Sequence, residues 1–264
     1  MSGFEHVLLE RADGIGTITL NRPDKLNAFA ARMPREVAEA VQELAEASDV
    51  RVIVVSGAGR AFCAGADIEY MERLVEANDV EAARALIDAG GEIVTTIRNT
   101  PKPVIASVNG PAAGGGANLA LACDIRLASD RATIGQTFNR IGLHPDWGGT
   151  YFLPRLVGPS RALELIYTAE MVDAAEALRL GLFNRVVPHD RLAAETSALA
   201  ATLAAKPPIA LALAKRAVYE SGDRTLPEML DRELEHQLRC FASDDVREGL
   251  QAFLGKRPPV FRGR

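Results

Sequence analysis

Aromatic residues, cysteines, histidines and long apolar runs are all scarce in this sequence. Aromatics make up 5% of 264 residues and there is one tryptophan, so the core must be packed from small aliphatic side chains; the abundance of alanine and leucine favours many helices. Cys63, Cys123 and Cys240 are odd in number and widely spaced, with no CxxC, which suits a reduced, cytoplasmic chain better than a disulfide framework. His6, His144, His189 and His236 lack ligand-like spacing, and no metal site is expected. The opening MSGFEHVLLERADG has none of the basic, apolar and small-residue succession of a secretory leader. No apolar stretch approaches the ~20 residues of a membrane span, so neither export nor a membrane is expected. A net charge of −5 argues against a general nucleic-acid binder and leaves room for a local basic patch that holds phosphate. GxxxxGK[ST] is absent, and Gly57-x-Gly59 continues to Phe62 rather than to a third glycine, which sets aside the P-loop and dinucleotide loops.

What is present is a chain 48% apolar, long enough for one large domain or a domain with an appended helical region. Residues 52–55, Val-Ile-Val-Val, read as a strand covered on both faces. Gly57, Gly59 and Gly65 end it, small residues from Cys63 to Ala66 leave the main chain open, and Asp67 begins a helical pattern. The amide of Ala66 can then point outward. A second stretch, NGPAAGGGANL, repeats the format: a strand over 104–108, three glycines, and a short helix over 118–122. Taken singly, such a loop is equally the mark of a tight turn or a close helix contact. Two in one format point to converging backbone donors.

The rest of the chain reads as mixed α/β. Residues 7–9 and 15–20 form a hairpin around Asp13-Gly14; NRPDKLNAF is a loop, in which Arg22 and Lys25 can simply be solvated charges. Helices are expected over 33–47, 67–75 and 80–98, and a strand over 124–128. Beyond Pro159 strand signals fade, apart from 183–187. Helices follow over 161–167, 174–179, 191–205, 209–220, 226–241 and 245–254, so residues 1–200 read as an α/β core and 201–264 as a C-terminal helical region.

SGAGRAFCAGADI, NGPAAGGGANLALACDIRLAS and HPDWGGTYFLPRLVG, with NRPDKLNAF near the start and FLGKRPPVF near the end, together resemble the crotonase, or enoyl-CoA hydratase/isomerase, family over nearly the whole chain. The resemblance implies a spiral of ββα units followed by C-terminal helices. It implies acyl-CoA thioester substrates, coenzyme A entering only as part of the substrate, and trimers or hexamers. By position it implies an oxyanion hole from the Ala66 and Gly115 amides. It also implies coenzyme A contacts from Lys25, Leu26, Ala28, Ala64, Asp67 and Ile68, with Phe253, Lys256 and Phe261 at the adenine end, although taken alone FLGKRPPVFRGR is a basic tail.

An oxyanion hole acidifies the carbon beside a thioester; the acids and bases around it then decide the reaction. The family's hydratases use two glutamates, and the matching positions here are Asn118 and Phe138. Neither replaces a carboxylic acid, which leaves both, with Trp147, as candidate substrate contacts. Asp146 falls where enoyl-CoA isomerases and the ring-opened-epoxide isomerases of phenylacetate catabolism carry a single carboxylate. Phe138, Ile141, Leu143 and Trp147 are close in sequence and can raise its pKa by desolvation. Read locally, Asp146 is equally an N-cap and Asn118 a loop hydrogen-bonder. Isomerisation through Asp146 is the leading expectation. Hydration, thioester hydrolysis or dehalogenation, and non-catalytic acyl-CoA binding are the alternatives. Met71, Leu74, Leu86 and Ile87 are candidates for an acyl tunnel or for ordinary core.

Overall fold

The structure, a computed structural model, describes residues 3–264. It opens on a hairpin, β1 (Val7–Ala12) and β2 (Ile15–Leu20), turned by Asp13 and Gly14, both at positive φ. Helix α1 (Met33–Glu46) follows, with Val37, Val41 and Leu44 on its buried face. Each such side chain contributes about 1.5–3 kcal/mol by leaving water. Glu36 belongs to this buried set as well, because its carboxylate accepts the Glu5 and His6 amides at 3.2 and 2.8 Å.

From there the chain climbs in turns. Strand β3 (Val52–Gly57) leads to α2 (Ile68–Glu76) and α3 (Val80–Asn99); β4 (Val104–Val108) leads to β5 (Ala112–Ala113) and α4 (Gly115–Ala122); β6 (Ile125–Ser129) leads to β7 (Thr133–Gly135). Helices α5 (Gly149–Val157) and α6 (Pro159–Thr168) come next, then β8 (Val172–Asp173), α7 (Ala174–Arg179) and β9 (Arg185–Val187). The first sheet has six strands in the order β1-β2-β3-β4-β6-β9, parallel from β2 onward. Because each main-sheet strand after β2 lies beside its predecessor, the connections stack as a spiral.

A second layer, read from the sequence only as loops, repeats that stacking. Phe29 bridges Ala66, Cys63 bridges Ala112, and β5 pairs with β7, all in parallel; β8 closes the layer antiparallel. In each early turn the chain passes from the main sheet to this layer and then into a helix, which is the spiral of ββα units. Parallel sheets need cover on both faces. The main core lies between the sheet and α1, α3 and α4, and Val52, Val54, Ile105 and Leu127 pack on the other face against α8 (Leu192–Ala204).

Beyond α8 come α9 (Pro208–Glu220), α10 (Leu226–Phe241) and α11 (Asp244–Leu254). Leu226, Leu230, Leu234, Leu238 and Phe241 form an exposed apolar row along α10, continued by Leu250, Phe253 and Leu254. No single helix among the described residues is long and apolar enough to cross a membrane. All three cysteines are free.

Candidate active site

A cavity of about 780 Å³ opens where two turns of the spiral meet, lined on one side by Ala64, Gly65, Ala66 and Gly115. The stacking explains the meeting. Ala66 and Gly115 hold equivalent places on consecutive turns, each where the second layer gives way to a helix. Ala113 N–H donates to Cys63 O at 2.9 Å, and the loops approach so closely that a Cβ on Gly116 would stand 2.3 Å from Cys63 O. The Cys63 thiol, donating to Asn27 O at 3.1 Å, is sealed between them and pushed up to about 12 by burial. Among the described residues neither the Ala66 N–H nor the Gly115 N–H meets an acceptor. Helix α4 begins at Gly115 rather than at Asn118, so the Gly115 amide sits in its first turn, where N–H groups lack intrahelical partners and the helix end is electropositive.

The opposite wall is built on a turn. Asp146 O accepts from Gly149 N at 2.9 Å, with Trp147 at φ 45° and Gly148 at φ 81°. Two successive positive φ values make the mirror image of the common turn; glycine accepts this readily, whereas a tryptophan is strained by about 1–3 kcal/mol. Packing offsets the strain. The indole is 5% exposed, tilts over Phe29 with ring centroids 4.5 Å apart, and occupies the place where a Cβ on Gly90 would stand, 1.7 Å from the ring.

The Asp146 carboxylate is half-buried on the cavity beside Phe138, Ile141, Leu143, His144 and Trp147. Desolvation lifts its pKa to about 6, against smaller opposing effects of its own backbone amide and His144. It is not a helix cap, since α5 starts after Gly148 with no side-chain capping bond. One wall therefore offers free amide donors and the other a carboxylate poised near neutrality. Together they can polarise a carbonyl and move a proton beside it.

Other expected residues are placed differently. Ala64, Ile68, Phe138 and Trp147 line the cavity, as do Met71, Leu86 and Ile87, while Leu74 does not. Asn118 is corrected as a substrate contact: it is fully buried behind Gly149, its Nδ2 donating to Asp146 O at 2.8 Å and its Oδ1 accepting from Gln136 Nε2 at 2.7 Å. Asp67 also turns from the cavity. Its carboxylate takes Arg22 Nη2 at 2.9 Å and caps α2 through Tyr70 N, which holds its pKa below the usual range even though burial, the largest single influence, acts the other way.

Lys25, Leu26 and Ala28 flank the donor loop without lining the cavity. Lys25 is exposed and pairs with Glu69 at 2.8 Å, and Leu26 O accepts from Ala64 N at 3.0 Å. The NRPDKLNAF segment contains one short 3₁₀ turn (Pro23–Lys25) and is stapled by the buried Asn27, whose Nδ2 donates to Ala58 O and Ala61 O at 2.9 Å. Phe253, Lys256 and Phe261 are not brought to the cavity within this chain; Phe253 is 83% exposed and Phe261 packs over Gly249.

Gln136 and Gly90 were not legible as site residues, since a lone glutamine and a mid-helix glycine carry no sequence signal. A larger cavity of about 1030 Å³ lies between α3, α5 and α9, with Arg98, Lys215 and Tyr219 in its wall. It touches neither Asp146 nor either amide, so it is not the candidate site.

The profile of a family described as "Enoyl-CoA hydratase/isomerase" matches residues 10–264. The chain is 37% identical over 259 residues to a crotonyl-CoA hydratase of Syntrophomonas wolfei, covering 98% of each chain. It is also 37% identical over 268 residues to the 1,2-epoxyphenylacetyl-CoA isomerase of Escherichia coli K12, covering 99% of this chain and 100% of that one. The crystal structure of an enoyl-CoA hydratase from Bacillus anthracis superposes with a TM-score of 0.93 at 35% identity, over 98% of this chain and 100% of the other.

Proposed function

The chain belongs to the enoyl-CoA hydratase/isomerase family and is an acyl-CoA enzyme, and from that premise we propose that it moves a double bond along the acyl chain with Asp146 as its one acid/base. Identity alone does not choose between reactions, being 37% to both a hydratase and an isomerase. One observation carries the choice. Among the described residues Asp146 is the only carboxylic acid on the cavity wall, and the places where the resemblance puts a hydratase's two glutamates hold a buried amide, Asn118, and a phenyl ring, Phe138.

In the proposed reaction the thioester oxygen accepts from the Ala66 and Gly115 amides. Asp146 takes a proton from C2 of a 3-enoyl thioester, the electrons move into the dienolate, and the same carboxylic acid returns the proton at C4, leaving the 2-enoyl product. Charge develops on the oxygen where free amides and the α4 end favour it. A pKa near 6 lets one group act in turn as base and acid close to neutral pH. Phe138, Trp147, Met71, Leu86 and Ile87 give the acyl chain an apolar bed.

Coenzyme A is the substrate's carrier, with Lys25, Leu26 and Ala28 beside its entrance and Ala64, Ile68 and the Asp67 backbone along the donor loop. Residues 1–200 form the acyl-CoA core and 201–264 the assembly region of a homotrimer or hexamer, a reading supported by the exposed apolar row of α10 and α11. In that assembly Phe253, Lys256 and Phe261 reach the adenine end of a substrate.

The test compares a 3-enoyl-CoA with crotonyl-CoA, followed by mass spectrometry and solvent deuterium uptake. Isomerisation that is lost in Asp146→Asn supports the reading. Hydration of crotonyl-CoA that survives in Asp146→Asn overturns it in favour of the hydratase.

A further inference from the structure

We infer that Asn118 is a positioning residue: by its hydrogen bond to Asp146 O it ties the acid/base turn to the helix that carries the Gly115 amide, and Gln136 orients it for that task. The inference rests on Asp146 being the acid/base. Asn118 does not line the cavity and touches no reacting atom. It lies three residues beyond Gly115 on the same helical face, a rise of about 4.5 Å. One short rigid segment therefore presents an oxyanion donor at its start and a clamp one turn later.

The chemistry of the network leaves a single orientation. A backbone carbonyl only accepts, so the end of Asn118 facing Asp146 O is Nδ2, at 2.8 Å. Its Oδ1 then faces Gln136, whose Nε2 donates at 2.7 Å. Gln136 Oε1 is buried with no hydrogen-bond partner among the described residues, an arrangement that destabilises a fold. Its amide is better explained by what it does to Asn118 than by stability. Gly149 completes the fit, since a Cβ there would stand 2.6 Å from Asn118 Nδ2.

The clamp is needed because the turn it grips is strained. Trp147 holds a positive φ that its backbone disfavours, and Asp146 O, the oxygen that Asn118 grips, closes that turn. Without the Asn118 donor the turn relaxes, the indole leaves its seat and the carboxylate loses its fixed distance from the Gly115 amide. A displacement of about 1 Å at a reacting group costs roughly 100-fold in rate.

The measurement uses two readouts on the full-length protein. Trp147 is the only tryptophan in the chain, so its emission and its quenching by acrylamide report the turn whatever the reaction is. In Asn118→Leu the emission shifts to the red and quenching rises. The kcat for 3-enoyl-CoA falls roughly 10- to 100-fold with KM little changed, and the acid limb of the rate profile moves down from about 6 as the carboxylate meets water. Gln136→Met shifts all four in the same direction by less while leaving the melting temperature nearly unchanged, since the idle Oε1 is removed as Asn118 Oδ1 loses its donor; a merely structural role does not move the emission and the pH profile without moving stability. Emission, quenching and pH profile equal to wild type in both variants would overturn the clamp, as would a kcat that falls only with the folded fraction. If the wild type does not isomerise the substrate and the emission still shifts, the reaction assigned to Asp146 fails and the clamp stands.

Discussion

The two walls of the cavity are made by different means. The donor wall is backbone only: Ala66 and Gly115 recur at equivalent places because the spiral repeats, and the packing of Gly116 on Cys63 holds the turns in contact. The carboxylate wall depends on particular side chains, since a strained tryptophan, a buried asparagine and a glutamine with one idle oxygen all support one half-buried carboxylate. A fold can place amides by repetition. Placing a carboxylate with an altered pKa needs local compensation, and so the donor wall should fail by unfolding and the other wall by loss of chemistry.

The sharpest way to break that contrast is Gly116→Val. Its Cβ would lie 2.3 Å from Cys63 O, and overpacking of this kind costs about 3 kcal/mol or more where backbone must move. Urea denaturation should show a large loss of stability, with activity lost in proportion. Asp146→Asn should do the reverse. Turnover drops by about 10²–10⁴-fold, while the protein becomes more stable at neutral pH by up to about 3 kcal/mol.

The sign follows from the folded pKa of about 6, above the ordinary 3.8. The folded state binds the proton more tightly, so the wild type gains stability as pH falls from about 6 toward 4, and the asparagine variant's advantage shrinks over the same window. Denaturation series at pH 7.5 and 4.5 check this. The wild-type rate should fall below about pH 6, because the base proposed for Asp146 must be ionised. Lys25→Ala is the mildest change. The Lys25–Glu69 pair is exposed and its loss should alter stability by less than about 1 kcal/mol, so a rise in KM for the thioester without a change in kcat would place phosphate there, and no change would leave Lys25 a solvated charge.

Most of the main sheet and the long helices could be read from periodicity, and 226–241 matched the observed α10 at both ends. The second layer could not. Strands of two or three residues, such as β5 and β7, are too short to show alternation and exist because the neighbouring turn pairs with them. Helix α4 was misjudged at its start for a related reason: glycine is a poor helix former, yet close packing on Cys63 requires small residues in that first turn.

Both glycine loops and Asp146 were legible through the strand–glycine–helix format and the family resemblance. The orientation of Asn118 and Asp67 was not, because a sequence does not show whether a polar side chain faces a cavity or a neighbouring carbonyl. Nor does a single chain bring Phe253, Lys256 and Phe261 to the cavity.

The sealed thiol between the two donor loops gives the molecule a chemical clock. With its pKa pushed up to about 12 by burial, Cys63 stays a thiol at neutral pH and is shielded from reagent. Cys240, partly exposed on α10, is open to reagent. An alkylating agent therefore marks Cys240 in the folded chain and reaches Cys63 only when adjacent turns of the spiral separate. The ratio of the two rates counts the openings of the wall on which the substrate's carbonyl would rest, with no substrate present.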